Sequence, residues 1–235
     1  MRIPNTDCKN CKNNNCLIKQ LETASLINQV NEHKRTILLQ GGQNIISEGL
    51  PFEDITFIYE GQVKVYKQGY NNKVQVVRLS KAGDVIGHRA LYRENTPITA
   101  QTIAPSKICF VPKTIFMNCI DQDIQFSNAL MKLFADDLFH SEELTRNHAQ
   151  MSVRELVADT LIRLYNTYGI NEKNEAIDVI LTRQEIAEIA GTTKEQVSKF
   201  LYEFKKDGLI EIKGKQIIPL AMDSLVKLNA HFGHY

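Results

Sequence analysis

The chain has 235 residues, of which 43% are hydrophobic and 23% charged, with a formal net charge of +1. This is an ordinary globular composition, long enough for two domains with real cores, and gross charge alone does not announce a nucleic-acid partner. No N-terminal apolar run and no stretch long enough to span a bilayer is present, so a cytoplasmic chain without a membrane partner is expected. Its five cysteines then point to metal or redox chemistry rather than structural disulfides.

Residues 1–18 are polar and Asn-rich and contain Cys8-Lys-Asn-Cys11-Lys-Asn-Asn-Asn-Cys16, a C-x2-C-x4-C pattern. Such a tail cannot bury an apolar core of its own, so something else must order it. A metal or iron–sulfur centre is the natural candidate. Lys9, Lys12 and Lys19 would partly offset the charge of several thiolates. Three thiolates are one short of a four-cysteine set, so the fourth must be Cys109 or Cys119. Zinc takes the same ligand set and is the competing metal.

Leu17–Val30 carries an amphipathic helical pattern. From Arg35 to Val111 the signal changes to short β segments: Ile37–Leu39, Ile45–Ile46, Ile55–Tyr59, Val63–Tyr66, Val74–Leu79, Val85–Ile86, Ile98–Ile103 and Ile108–Val111. Glycine and asparagine turns punctuate them, which predicts an antiparallel barrel or jelly roll. A short helix is expected over Pro112–Ile120 and a long one over Asp123–Gln150. Along the long helix Phe134, Leu138, Ser141, Thr145 and His148 keep a 4-3-4-3 spacing. That spacing is a coiled-coil seam with a polar C-terminal half, which suits a weak and regulable homodimer. Ser152–Tyr168 is a further amphipathic helix, and Gly169–Ala176 links it to an expected strand, Ile177–Leu181.

The next stretch is the most explicit in the chain. Thr182 and Glu185 form a T-x-x-E capping box, Ile186, Ala187, Ile189 and Ala190 give a small apolar face, and Gly191 suits a left-handed helix end. Thr192 or Thr193 then caps a second helix with Glu195 or Gln196 as reciprocal partner. Val197, Leu201 and Phe204 must face a core, while Glu195, Ser198, Lys199 and Tyr202 form the opposite stripe. Gly208 stops the helix, and Leu209–Ile212 with Gln216–Ile218 read as a hairpin about Lys213-Gly214-Lys215. Two helices at a tight turn plus a basic hairpin make a winged helix-turn-helix, whose stripe matches what base edges and phosphates need. Between 193 and 215, Lys194, Lys199, Lys205, Lys206, Lys213 and Lys215 outnumber Glu195, Glu203, Asp207 and Glu211, so the basicity is local.

Phosphate-loop, dinucleotide and G-x-S-x-G fingerprints are absent, and no catalytic constellation is visible. A non-enzyme is expected. The histidines are scattered singly, and His231 and His234 read as tail residues rather than ligands.

A cysteine tail, a β-roll, a long helix and a winged helix in this order resemble the Crp/Fnr superfamily of bacterial transcription regulators. The resemblance spans nearly the whole chain and is most specific at Thr182-Arg183-Gln184-Glu185-Ile186-Ala187, in the second helix and at Lys213-Gly214-Lys215. Tyr59-Glu60-Gly61-x-Val63 and Gly83-Asp84-x-x-Gly87 match the family's β-roll turns. It implies an α+β chain: an N-terminal jelly-roll β-barrel of the cyclic-nucleotide-binding kind, a long dimerisation helix and a C-terminal winged helix-turn-helix. The divisions are expected at 1–18, 19–120, 121–150 and 151–235. Gly87-His88-Arg89 and Ile98-Thr99-Ala100 stand where cyclic-AMP-binding members carry a Gly-Glu-Leu and an Arg-Ser pair, so cyclic AMP is not the expected ligand. Arg89 is expected at the surface or in a salt bridge.

The oxygen-sensing Fnr branch is the nearer likeness. It holds a [4Fe-4S] cluster with an N-terminal cysteine group and one distant cysteine before an Ile/Val-Pro step. Cys109-Phe110-Val111-Pro112 matches that context and Cys119 does not, which implies Cys8, Cys11, Cys16 and Cys109 as ligands. The tail departs from the branch's C-x2-C-x5-C by one residue, a difference the Asn-rich loop can absorb. Glu195-x-x-Ser198-Lys199 resembles the branch's E-x-x-S-R reading pattern, which implies a palindromic site with TTGAT-like halves about one DNA turn apart. Lysine for arginine loses the bidentate fork on guanine. The DNA-contacting candidates are Arg183, Thr193, Lys194, Glu195, Ser198, Lys199, Lys213 and Lys215, and RNA polymerase is a partner by resemblance. Rival readings keep the DNA binding but replace the cluster with zinc, a regulatory disulfide, haem on His33 or His88, or a small ligand in the β-roll. A redox protein with a vestigial helix-turn-helix is the reading from another class.

Overall fold

A computed structural model describes residues 2–4 and 6–229; His231 and His234 lie outside them. The chain forms two compact units, one of Met1–Lys67 with Ser80–His140 and the other of Gln68–Leu79 with Ser141–Tyr235.

In chain order the elements up to the long helix are β1 (Arg2–Ile3), α1 (Ala24–His33), β2 (Arg35–Leu39), β3 (Asn44–Ile46), β4 (Asp54–Glu60), β5 (Gln62–Gln68), β6 (Val74–Lys81), β7 (Val85–Ile86), β8 (Thr99–Thr102), β9 (Ser106–Pro112), α2 (Lys113–Gln122) and α3 (Ile124–Gln150). All eight expected β segments are strands. One antiparallel sheet runs β1-β2-β9-β4-β7, and in a second β3, β8 and β5 are consecutive neighbours. Central β4 is buried on both faces, which explains its unbroken run Ile55-Thr56-Phe57-Ile58. Ile55 and Phe57 point into a core cluster with Val111, Leu26, Val30, Phe116 and Phe126. At the β4–β5 turn Gly61 has φ +117°, and a Cβ there would lie 2.1 Å from Ser106 Oγ, so only glycine fits.

The helix expected over Leu17–Val30 is broken in two. Leu17–Gln20 is a 3-10 turn, the chain is extended at Leu21 and Thr23, and α1 begins at Ala24. The cause is a residue far along the chain. Asp123, at the α2–α3 junction, accepts the backbone N–H groups of Glu22 (3.0 Å) and Thr23 (3.1 Å) on one oxygen and that of Phe126 (3.0 Å) on the other. Burial raises its pKa, but the N–H groups of Phe126, Thr23 and Glu22 outweigh that and hold the carboxyl below its ordinary value.

The tail is also more ordered than its polarity suggested. β1 pairs with β2, Arg2 opposite Ile37, and Leu17, Ile18 and Leu21 are buried in the core cluster. Side-chain amides supply the rest. Asn13 Nδ2 donates to the Tyr59 carbonyl at 2.7 Å, and Asn31 Oδ1 accepts from the Cys8 N–H at 2.9 Å. These long-range hydrogen bonds to β4 and α1 hold the polar stretch that precedes the Leu17–Ile18 anchor.

The second unit contains the end of α3, then α4 (Val153–Tyr168), α5 (Arg183–Ala190), α6 (Lys194–Lys206), β10 (Ile210–Lys213), β11 (Gln216–Pro219) and α7 (Met222–Leu228), the last not expected. Ser152 and Glu155 cap α4 reciprocally, and Leu156, Leu161 and Leu164 face inward as expected. The strand expected at Ile177–Leu181 does not form. Ile177, Val179 and Leu181 do alternate into the core, but among the described residues the contact with β11 is made at Ile177 and does not extend into a ladder. Ile177 bridges Ile170 alone, and its N–H donates to the Ile217 carbonyl at 2.9 Å.

Candidate metal centre and nucleic-acid interface

Register places the distant cysteine. Cys109 on β9 pairs with Thr36 on β2 and with Phe57 on β4, so these three side chains share one face of the sheet. The tail folds over that face. Cys8, Cys11, Cys16 and Cys109 line one cavity of about 30 Å³, together with Asn13, Lys34 and Phe57. Cys119 is fully buried in the core cluster on α2 and does not line it. Among the described residues no three His, Cys, Asp or Glu groups are already drawn together as a metal's ligands. The thiols thus share a cavity without converging on a point.

The cavity is a costly place for a thiolate. Burial pushes the Cys8 thiol up, against the hydrogen bond and charge of Lys34. Burial likewise pushes Cys16 up to about 12 and raises Cys109. Thr36 Oγ1 lies 3.6 Å from Cys109 Sγ. Lys34 Nζ donates to Cys8 Sγ at 2.9 Å and to the Thr6 carbonyl. Lys12 pairs instead with Glu60 at 3.7 Å, and Lys19 Nζ donates to the Lys9 carbonyl at 2.7 Å. Lys34 was invisible to sequence reasoning, because a lone lysine between a helix and a strand carries no pattern.

The DNA-reading candidates lie on a locally determined scaffold. Thr182 and Glu185 form the expected capping box of α5, and Gly191 ends it at φ +67°. Thr193 caps α6 by accepting from the Gln196 N–H at 3.3 Å. Val197, Leu201 and Phe204 are buried, which leaves Lys194, Glu195, Ser198, Lys199 and Tyr202 exposed along the opposite face. The Glu195 carboxyl is held below its ordinary value by its own backbone N–H and Thr193, and is ionised at neutral pH. Ser198 Oγ donates to the Lys194 carbonyl at 2.8 Å, and Lys199 Nζ sits 5.2 Å from the Phe200 ring centre. Arg183 opens α5 and is half-buried. In the hairpin Lys213 pairs with Gln216, so Gly214 and Lys215 form the two-residue turn. Lys213 Nζ lies 3.5 Å from Glu211.

Along α3, Phe134 and Leu138 are exposed, as are Ser141, Thr145 and His148. Ile124 (71% exposed) and Met131 (62%) continue the same heptad toward the N-terminus, an apolar extension legible by stepping back seven residues. His148 faces a second neighbour: a Cβ at Gly191 would come within 3.3 Å of its ring. On the other side of α3, Asp137 Oδ2 lies 2.7 Å from both His88 Nε2 and Arg89 Nε. Arg89 is thus salt-bridged as expected. His33 is exposed, with Nδ1 2.9 Å from the Gln29 carbonyl.

Residues 37–123 match the cyclic nucleotide-binding domain family, and residues 155–228 match the Crp-like helix-turn-helix domain family. Electron transport regulator A of Shewanella oneidensis is 27% identical over 216 residues, 90% of this chain and 85% of that protein. The anaerobic regulatory protein of Pasteurella multocida is 24% identical over 206 residues, 86% of this chain and 74% of that protein. Among solved structures, FixK2 from Bradyrhizobium japonicum superposes with a TM-score of 0.74 at 21% identity, covering 83% of this chain and 96% of its own. No helix among the described residues is long and apolar enough to cross a membrane. With the β-roll, the long helix and the helix-turn-helix in this order and both domain families matched, the chain belongs to the Crp/Fnr family of DNA-binding transcription regulators.

Proposed function

We propose that this regulator binds a palindromic, TTGAT-like DNA site as a homodimer and is controlled by oxygen, nitric oxide or redox state through Cys8, Cys11, Cys16 and Cys109. The observation that carries the reading is that these four thiols, and not Cys119, line one cavity on the sheet. Four soft thiol donors are the set that an iron–sulfur centre or zinc takes. A bound [4Fe-4S] cluster would supply a centre that oxygen and nitric oxide destroy. Names such as anaerobic regulatory protein, carried by relatives, favour it. The thiols share the cavity without converging on a point, so either centre would draw the Cys8–Cys16 loop toward Cys109.

The chain's own residues do the rest. Drawing Cys8, Cys11 and Cys16 onto Cys109 pins the tail to β9 and, through α1 and Asp123, to the start of α3. The seam Ile124, Met131, Phe134 and Leu138 then pairs with a second copy, aided by the weaker Ser141, Thr145 and His148. Each fully buried apolar side chain contributes about 1.5–3 kcal/mol. The dimer presents Arg183, Thr193, Lys194, Glu195, Ser198 and Lys199 to each half-site, with Lys213 and Lys215 on the flanking backbone. RNA polymerase is the downstream partner and the cytoplasm the location. The working divisions are a tail (1–18), a β-roll (19–120), a dimer helix (121–150) and a DNA-binding domain (151–235). Arg89 is committed to Asp137, which speaks against its holding a cyclic phosphate.

The test is purification without oxygen, followed by absorption spectra and iron, sulfide and zinc counts. Sedimentation and salt-dependent DNA binding are then read before and after exposure to air. Iron and sulfide near four per chain, bleaching in air with loss of dimer and of DNA affinity, supports the cluster. Zinc alone selects the second reading. An identical tight dimer with and without metal rules out control through association.

A further inference from the structure

Lys34 lies between α1 and β2 with 3% of its surface exposed. Its Nζ is within hydrogen-bond distance of Cys8 Sγ, and its side chain lines the same cavity as the four thiols. A buried ammonium is expensive unless opposite charge answers it. Four thiolates around zinc, or around a cluster core of like charge, leave two net negative charges in a pocket that burial already makes hostile to anions. Of the basic residues of the tail, Lys19 also lines the cavity and Lys9 and Lys12 do not. Lys12 is drawn to Glu60 and Lys19 to the Lys9 carbonyl. Among the described residues Lys34 is the lysine with a thiol contact.

We propose that Lys34 is a positioning residue of the cysteine site: its buried ammonium fixes Cys8 Sγ by hydrogen bonding and offsets the net negative charge of a four-thiolate centre. This rests on the four-cysteine reading above. Outer-shell groups that hold a metal ligand are typically worth about 10–100-fold in metal affinity.

The full-length chain, reduced and free of oxygen, is titrated with Co²⁺, and the sulfur-to-cobalt absorption is read; zinc is then measured by competition. Lys34→Met should weaken Co²⁺ binding about 10–100-fold, with Lys34→Gln as a second neutral variant should the first not fold. Lys34→Arg should recover part of the affinity. Melting of the metal-free Lys34→Met chain should stay close to that of wild type. Unchanged Co²⁺ affinity overturns the proposal, as does a loss matched by an equal drop in metal-free stability, which marks Lys34 as packing only. Cys109→Ser runs beside it. If that variant binds Co²⁺ like wild type, the four-cysteine reading itself fails; if it loses binding while Lys34→Met does not, the Lys34 role alone fails.

Discussion

In the cysteine cavity the functional groups are sunk against the core cluster, and burial pushes Cys8, Cys16 and Cys109 toward their neutral thiols. Along α6 the functional groups stand in solvent, and Glu195 is held ionised by local hydrogen bonds. The thiols of the first region ionise when something arrives to match their charge, so occupancy and protonation are linked there. The second carries its charge permanently, and water screens it until DNA replaces the water. A sensor and a reader on one chain thus use opposite environments. The sensor needs a state that changes with its ligand, and the reader needs one that does not.

The sharpest way to break this comparison is at Cys109. Cys109→Ser in the full-length chain should abolish metal binding, read as metal per chain. Cys119→Ser should keep the metal and instead lower stability, by about 1–3 kcal/mol in denaturant, because it places a hydroxyl in a packed apolar site. Equal metal loss in both would remove the distinction drawn from the cavity.

A smaller effect is expected where Asp123 joins α1 to α3. Asp123→Ala should cost about 1–3 kcal/mol, since one carboxylate serves three backbone N–H groups. Its folded-state pKa is depressed, so its contribution is complete above the unfolded value of about 4 and is lost as pH falls through the folded value. Acid unfolding curves of wild type and Asp123→Asn should therefore converge below that point. A gap that stays constant through pH 2–4 would show that packing, not ionisation, is responsible.

The smallest effect sharpens the reader. Lys199→Ala should weaken DNA binding by about 1 kcal/mol and reduce the logarithmic salt slope by about 1 if the amine meets a phosphate. An unchanged salt slope with altered base preference would assign it to a base edge. In either case metal binding should be unaffected.

Much of this was readable in advance, and for a common reason. The capping box at Thr182–Glu185, the left-handed Gly191, the α6 stripe and the eight β segments depend on neighbours within a few residues, so spacing alone specifies them. The same local rules misread the helix at Leu17–Val30 and the strand at Ile177–Leu181. There the deciding facts, the Asp123 carboxylate and a contact with β11 confined to Ile177, are matters of tertiary placement. The apolar extension of the α3 seam through Met131 and Ile124 was within reach of periodicity. Lys34 was not, because its meaning lies wholly in a thiol 26 positions away. By itself the sequence determined which residues cap, alternate and stack, since those choices are made by short-range sterics and hydrogen bonding. Only the tertiary structure decided that Cys109 shares a face with Thr36 and Phe57 under the tail, because strand register, a long-range quantity, chooses which side chains meet.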